Sequence, residues 1–470
     1  MRRPRIIRSV LSLSKDAPSL GALLQARNPI IEAQRIPRSE HPISRSHFTN
    51  ATLKTLYSLR DAGYEAYVVG GGVRDILAGL KHKDFDIATN ARPEEIKKLF
   101  RSCRLVGRRF LIAHVHFGGE IIEVTTFRGA ISESHERDET GRILSDNLYG
   151  TLESDAFRRD FTVNALYYDI RDFAIVDHVG GMNDLQAKTL RLIGDPELRY
   201  REDPVRMLRA VRIANKLHFR LDPAAAAPIE RLAPLLGEIP PARLFDEVLK
   251  LLLNPDAVEN FRALHWFHLW RELFPEVDAR LEEEPERSRA FIEGVLSDTE
   301  KRIAQDLQIS PSFLFAVLLW PVVSARAAEL TRAQGHPESV ALAQAADEVL
   351  ARQQTHVAIP KRFSMPAREI WLMQPRFDQR RGGRPKRMMA HPRFRAAYDF
   401  LQLRAGAGEA VQEQASWWRQ AEGGSLPAIE VAPSLAEAVS GEGPTPRPRR
   451  RRRRGGRGRQ GQAPSPPSER

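Results

Sequence analysis

The sequence predicts an α+β protein, with a small N-terminal head built on a mixed sheet and an all-α neck and body behind it. Three observations carry this expectation. Between residues 48 and 187 helix-like and strand-like segments follow one another at short spacing. After about residue 187 the strand signals fade and apolar residues recur at helical spacing. From about residue 422 the chain turns to Gly, Pro, Ser and Arg, a composition that builds no core. The expected divisions are a weakly ordered extension over 1–47, the head over 48–187, a helical neck over 188–260, a helical body over 261–421 and a disordered arginine-rich tail over 422–470.

The head opens with NATLKTLYSLRDAG, where Leu53, Leu56 and Leu59 share a helical face and Gly63 supplies a C-terminal stop. EAYVV (65–69) reads as a strand, VRDILAGL (73–80) as a helix and DFDIAT (84–89) as a second strand. ARPEEIKKLF places proline at a helix start with acids in the first turn, which suits the helix dipole. LIAHVHF and EIIEVTTF are two strand-like runs across a Gly-Gly turn. Beyond them EDPVRMLRAVRIANKL, PARLFDEVLKLLL and FRALHWFHLWREL are helical. No apolar run reaches membrane-spanning length, because FLFAVLLW (313–320) meets Pro321, and a buried helix interrupted there is expected.

The basic N-terminus, MRRPRIIRSVLSLSK, has no continuous apolar stretch and no small-residue cleavage site, so export is not expected. Cys103 is the one cysteine, which fits a reducing cytoplasm and forbids an intramolecular disulfide. The net charge of +12 is uneven. Residues 441–470 hold ten arginines against Glu442 and Glu469, and residues 361–404 hold twelve Lys and Arg against three acids. Two basic zones on an otherwise near-neutral chain point to a polyanionic partner, most simply nucleic acid.

The chemistry-bearing residues begin with Gly70, Gly71 and Gly72, between a strand and a helix, where backbone N–H groups can cradle phosphates. The stretch is neither a dinucleotide fingerprint, since Asp75 stands at the third glycine position, nor a P-loop. Alone it marks a tight turn. Asp84 and Asp86 lie two apart on a strand, so they project together while Phe85 and Ile87 turn to the core. Such a carboxylate pair fits Mg²⁺, a hard cation with oxygen ligands. Glu123 and Asp160 compete for the third place beside them. In REDPVRMLRAVR, Glu202 and Asp203 precede Arg206 by four and three residues, with Arg209 and Arg212 continuing the face. Alone this reads as an ordinary acid–arginine helix pair.

Together VGGGVRD (69–75), KDFDIAT (83–89), EVTTFRG (123–129), RRDFTVNALYYD (158–169), DHVGGMNDL (177–185), RLIGDP (191–196), REDPVRMLRAVR (201–212) and PPARLFDEVLKLL (240–252) resemble the class II nucleotidyltransferase superfamily of bacterial poly(A) polymerases and tRNA CCA-adding enzymes. The resemblance implies a polymerase-β-like nucleotidyltransferase head, a two-metal Mg²⁺ site on Asp84 and Asp86, and ATP as substrate. It carries over Asp160 as a further active-site acid and leaves Glu123 a second candidate for the metal shell. Gly70 to Gly72, Arg74 and Arg159 would hold the triphosphate, and Glu202, Asp203 and Arg206 match the base-selecting Glu-Asp-x-x-Arg motif. The triple glycine, LFRSCRLVGRRFLIAHVHFG (99–118), VAIPKRF (357–363), IWLMQPRF (370–377) and HPRFRAAYDFLQLRA (391–405) resemble the poly(A) branch. No His-Asp dipeptide, mark of the phosphohydrolase domain fused to some CCA-adding enzymes, occurs. The implied activity is template-independent addition of AMP to RNA 3′ ends, with tRNA CCA addition or a silent RNA-binding protein as the alternatives. RNA-decay machinery and an RNA chaperone are the implied protein partners.

Overall fold

A computed structural model describes residues 4–8, 33–107, 110–129, 148–307 and 309–421. The expected tail over 422–470 lies outside them.

Among the described residues the head is an eight-stranded mixed sheet. Its strands are β1 (Gln34–Ile36), β2 (Ala66–Val69), β3 (Asp86–Thr89), β4 (Cys103–Val106), β5 (Ile112–Phe117), β6 (Glu120–Thr126), β7 (Leu166–Asp169) and β8 (Ile175–Asp177). They lie in the order β1-β8-β7-β2-β3-β6-β5-β4. Only β3 and β6 pair in parallel. The Gly118–Gly119 turn closes the β5–β6 hairpin as expected, with Gly118 at φ +60°. One sheet face buries Val68, Ile87, Val124, Ala113 and Tyr168 against the helix Asn50–Asp61, where Leu56 and Leu59 are fully buried. That helix ends at Ala62, and Gly63 follows at φ +88°.

The structure corrects several expectations. Residues 33–47 are part of the head rather than a loose extension: β1 pairs with β8, and Ile36 and Ile43 are buried. Arg5–Arg8 is a short helix whose Ile6 is buried among neck residues. β1, β4, β7 and β8 went unforeseen: β1 and β8 are only three residues long, and the fully buried β7 and β8 show no polar–apolar alternation. β3 starts at Asp86, not Asp84. Val69 pairs with Asp86, and the chain then bends at Gly70 into the helix Gly71–Leu77, so β2 has no residue left to face Asp84.

Behind the head the described residues are helical but for one short strand pair, Thr189–Leu190 with Arg220–Leu221. One apolar core runs from Phe161 through the helices Val205–Leu217 and Pro241–Leu252 to Phe400. The expected boundary at 260/261 therefore fails, since it cuts the helix Ala257–Trp266. The helix Pro311–Gln334 is, among the described residues, the one long and apolar enough to cross a membrane by length and composition, and most of that stretch is buried within the body. It continues through Pro321, because burial of Leu318, Leu319, Val322 and Val323 on either side outweighs one lost backbone bond.

Candidate active site

The helix Gly71–Leu77 and strand β3 place the site at the C-terminal end of β2. Gly70 sits at φ +80°, ψ −142°, a conformation open to glycine alone without strain. A Cβ on Gly72 would lie 2.7 Å from the Phe85 ring, so the second requirement for glycine is steric. Gly71 is less confined, with its nearest neighbours 3.5 and 3.6 Å from such a carbon. The first-turn N–H groups of this helix have no acceptor within the helix.

The expected alternation holds: Phe85 and Ile87 are buried, while Asp84 and Asp86 are exposed. Across the sheet, Asp86 stands in register with Val69 on one side and Glu123 on the other, and Glu123 stands opposite His114. His114 Nε2 is 3.5 Å from Glu123 Oε1. Asp86 keeps solvent contact yet is crowded by surrounding protein, and that partial desolvation, followed by the neighbouring Glu123, pushes its carboxyl up to about 6, with Asp84 adding to the shift. Carboxylates crowded in this way attract a cation. The donor set is all hard oxygen and fits Mg²⁺. Among the described residues no group of three His, Cys, Asp or Glu side chains is placed to hold a metal ion, so a bound ion would draw its remaining ligands from water and substrate. That suits an ion that keeps waters and takes substrate oxygens.

Arg159 closes the other side. Its Nη1 lies 3.8 Å from a carbon built on Gly70, whose other neighbour is Asp86 Oδ2 at 3.4 Å. The rest of its guanidinium is committed: Nε and Nη2 donate to Asp155 Oδ2 at 3.1 and 2.9 Å, and Nε to the Tyr167 hydroxyl at 2.8 Å. Asp155 also accepts from Arg128 Nε and from the Tyr167 hydroxyl. Burial alone would raise the Asp155 carboxyl, but Arg159 and Arg128 hold it well below the usual carboxylate range. Neither Asp155 nor Tyr167 was singled out in the sequence. The spacing Asp-x-x-x-Arg was a local signal for the first, and nothing local marks the second.

Two sequence-predicted residues are engaged elsewhere. Arg74 is buried, with Nε and Nη2 on Asp75 Oδ1 and Nη1 on Asn164 Oδ1 at 2.6 Å, so it buttresses the glycine turn and is not a free phosphate ligand. Asp160 accepts from the Phe161 N–H and Asn164 Nδ2 through Oδ1, and from Arg209 Nε and Nη2 through Oδ2. Both its oxygens are taken, while Glu123 lies directly beside Asp86.

The Glu-Asp-x-x-Arg segment is split by Pro204 between the helices Pro196–Glu202 and Val205–Leu217. Glu202 Oε2 accepts from Arg199 Nη1 at 2.8 Å and Arg206 Nη1 at 2.9 Å. The Asp203 carboxylate accepts from Arg243 Nη2 at 2.8 Å, a partner from Pro241–Leu252, and its backbone carbonyl accepts from the Arg206 N–H at 3.0 Å. Further along, the basic zone divides. Arg368, Arg380, Arg393, Arg395 and Arg404 are paired with acids. Lys361, Arg362, Arg376, Arg381, Arg384, Lys386 and Arg387 are exposed, and none makes an ion pair among the described residues.

Three family models match: "Poly A polymerase head domain" over residues 66–191, "Probable RNA and SrmB-binding site of polymerase A" over 218–281, and "Polymerase A arginine-rich C-terminus" over 334–455. Poly(A) polymerase I of Salmonella typhi is 48% identical over 402 residues, 83% of this chain and 86% of the relative. A CCA-adding enzyme of Lactobacillus helveticus is 40% identical over 210 residues, 45% of this chain and 51% of that one. The solved structure of the Bacillus stearothermophilus CCA-adding enzyme in complex with CTP is similar with a TM-score of 0.54 and 27% identity, over 81% of this chain and 83% of that one.

Proposed function

This chain belongs to the bacterial poly(A) polymerase family, and on that footing we propose how its residues divide the work of the reaction. The protein is a polynucleotide adenylyltransferase, adding AMP from ATP to RNA 3′ ends with release of pyrophosphate. Similarity to poly(A) polymerase I spans most of the chain, whereas similarity to the CCA-adding relative stops near half of it. The observation that supports the division best is the lateral pairing of Asp86 with Glu123 beside Asp84, facing Gly70 and Arg159.

Asp84 and Asp86 hold the ion, with Glu123 rather than Asp160 as the third carboxylate. Mg²⁺ bound there would supply Lewis-acid activation of the RNA 3′-hydroxyl and neutralise charge on the α-phosphate. The Gly71 and Gly72 N–H groups and Arg159 Nη1 hold the triphosphate in line and stabilise the departing pyrophosphate. Glu202, Asp203 and Arg206 line the adenine edge, where a carboxylate accepts from the exocyclic amine and a guanidinium donates to a ring nitrogen. Lys361, Arg362, Arg376 and the cluster 381–387 follow the RNA backbone without reading sequence, assisted by the arginine-rich tail. Residues 218–281 contact RNA and a protein of the RNA-decay machinery, and the protein works in the cytoplasm.

The test uses purified protein, a generic RNA and each nucleotide in turn. Long tails from ATP alone are expected, and incorporation of CTP that stops at a fixed length on tRNA would favour CCA addition instead. Asp84→Ala and Asp86→Ala should each abolish elongation with an unchanged circular dichroism spectrum. Full activity in either variant would sink the assignment.

A further inference from the structure

Asp75 is fully buried in the head, and four donor groups converge on its one carboxylate. Oδ1 accepts from Arg74 Nε at 2.9 Å and Nη2 at 2.6 Å. Oδ2 accepts from His82 Nδ1 at 2.7 Å and from Lys216 Nζ at 2.6 Å. His82 lies two residues before Asp84, and its ring meets Phe85 edge-on at 5.5 Å. Lys216 belongs to the neck helix Val205–Leu217, 141 residues away.

The same helix grips the head a second time. Arg209 donates to Asp160 Oδ2, Asp160 Oδ1 accepts from Asn164 Nδ2, and Asn164 Oδ1 accepts from Arg74 Nη1, which returns the network to Asp75. Arg209 and Lys216 are seven residues apart, so they lie on one helix face about 10 Å apart along the axis. Arg206, on the proposed adenine edge, is three residues before Arg209.

We infer that Asp75 and Asp160 form a two-point clamp that sets the register of the neck helix against the catalytic carboxylates, with Lys216 and Arg209 as its helix-side jaws and His82 as the arm reaching the Asp84 loop. Asp160 is thereby a positioning residue. The clamp gives base selection and chemistry a common frame: the helix that bears Arg206 cannot shift without loosening the buried carboxylate that anchors the loop before Asp84. Lys216 is the accessible jaw, with 41% of its side chain exposed.

The inference rests on Arg206 contacting the base, and the test separates the two ideas. Lys216→Met should lower the ATP-over-CTP ratio of kcat/KM about tenfold, less than the ~100-fold that a full 1 Å misplacement costs, and Lys216→Arg should restore it. His82→Ala should lower kcat for every nucleotide while leaving that ratio unchanged. If Arg206→Ala lowers that ratio, an equal loss for all nucleotides in Lys216→Met would mean a merely structural ion pair and overturn the clamp. Amide hydrogen exchange reads the clamp without any nucleotide: Lys216→Met should speed exchange in both Val205–Leu217 and Gly71–Leu77, and unchanged exchange in both would overturn it. If Arg206→Ala leaves discrimination intact while exchange behaves as expected, the base-edge assignment fails and the clamp stands.

Discussion

At the scale of single residues, the three glycines are not equivalent. Gly70 is required by its positive φ, Gly72 by the Phe85 ring, and Gly71 by neither. Gly72→Ala should destabilise the protein by about 1–3 kcal/mol, the usual cost of forcing extra volume into a packed site. Phe85→Leu in the same chain should recover part of that loss, because the clash is with ring atoms. Gly71→Ala should unfold in urea close to wild type. Equal destabilisation by Gly71→Ala and Gly72→Ala would contradict this reading. The glycine run itself was plain in the sequence, but the reason for its third member was not, since Phe85 is thirteen residues on.

At the scale of elements, the basic zone over 361–404 reads as uniform in the sequence and is divided in the structure. Residues whose charge is already met by Asp347, Glu369, Asp399, Glu409 or Glu413 have little left for a phosphate. The exposed set on and before the helix Arg384–Met389 keeps its charge available. Replacing Arg381, Arg384, Lys386 and Arg387 by Gln should weaken single-stranded RNA binding and flatten its salt dependence, by about 0.7 in log–log slope per lost phosphate contact. Arg368→Gln or Arg393→Gln should leave the slope unchanged. A salt titration by fluorescence anisotropy decides it, and identical slopes for both groups would mean that the ion pairs do not shape the RNA surface.

At the scale of the whole molecule, Asp75, Asp155 and Asp160 carry much of the head's polar framework. Burial pushes each carboxyl upward, yet His82, Arg74 and Lys216 for the first, Arg159 and Arg128 for the second, and Arg209 and Asn164 for the third hold all three well below the ordinary range. A carboxyl depressed on folding contributes stability that is complete above its unfolded pKa of about 3.9 and disappears as pH falls through the lower folded values. The protein should therefore lose stability steeply below about pH 4. Asp155→Asn should be less stable at pH 7 by about 3–5 kcal/mol, because Arg159 and Arg128 lose a buried partner. It should also take up about one proton fewer on acid unfolding. Urea denaturation between pH 7 and pH 3 measures both, and an acid limb as steep in the variant as in wild type would refute the role given to Asp155.

The fold class and the placing of Asp84 and Asp86 on one side of Phe85 and Ile87 were legible in the residues alone, and the nucleotidyltransferase chemistry in the resemblance of the motifs. Strand period and helix caps are local properties, written within a few residues of one another, and each motif is a short run even though the set spreads over residues 69–252. Which acid stands beside Asp86 depended on tertiary pairing, because Glu123 arrives through the parallel pairing of two strands that are not consecutive. The tertiary structure also turned Arg74 and Asp160 from candidate ligands into parts of a buttress and joined Asp75 to Lys216. A buried charge must find its partner wherever the fold brings one, and sequence distance places no limit on that search.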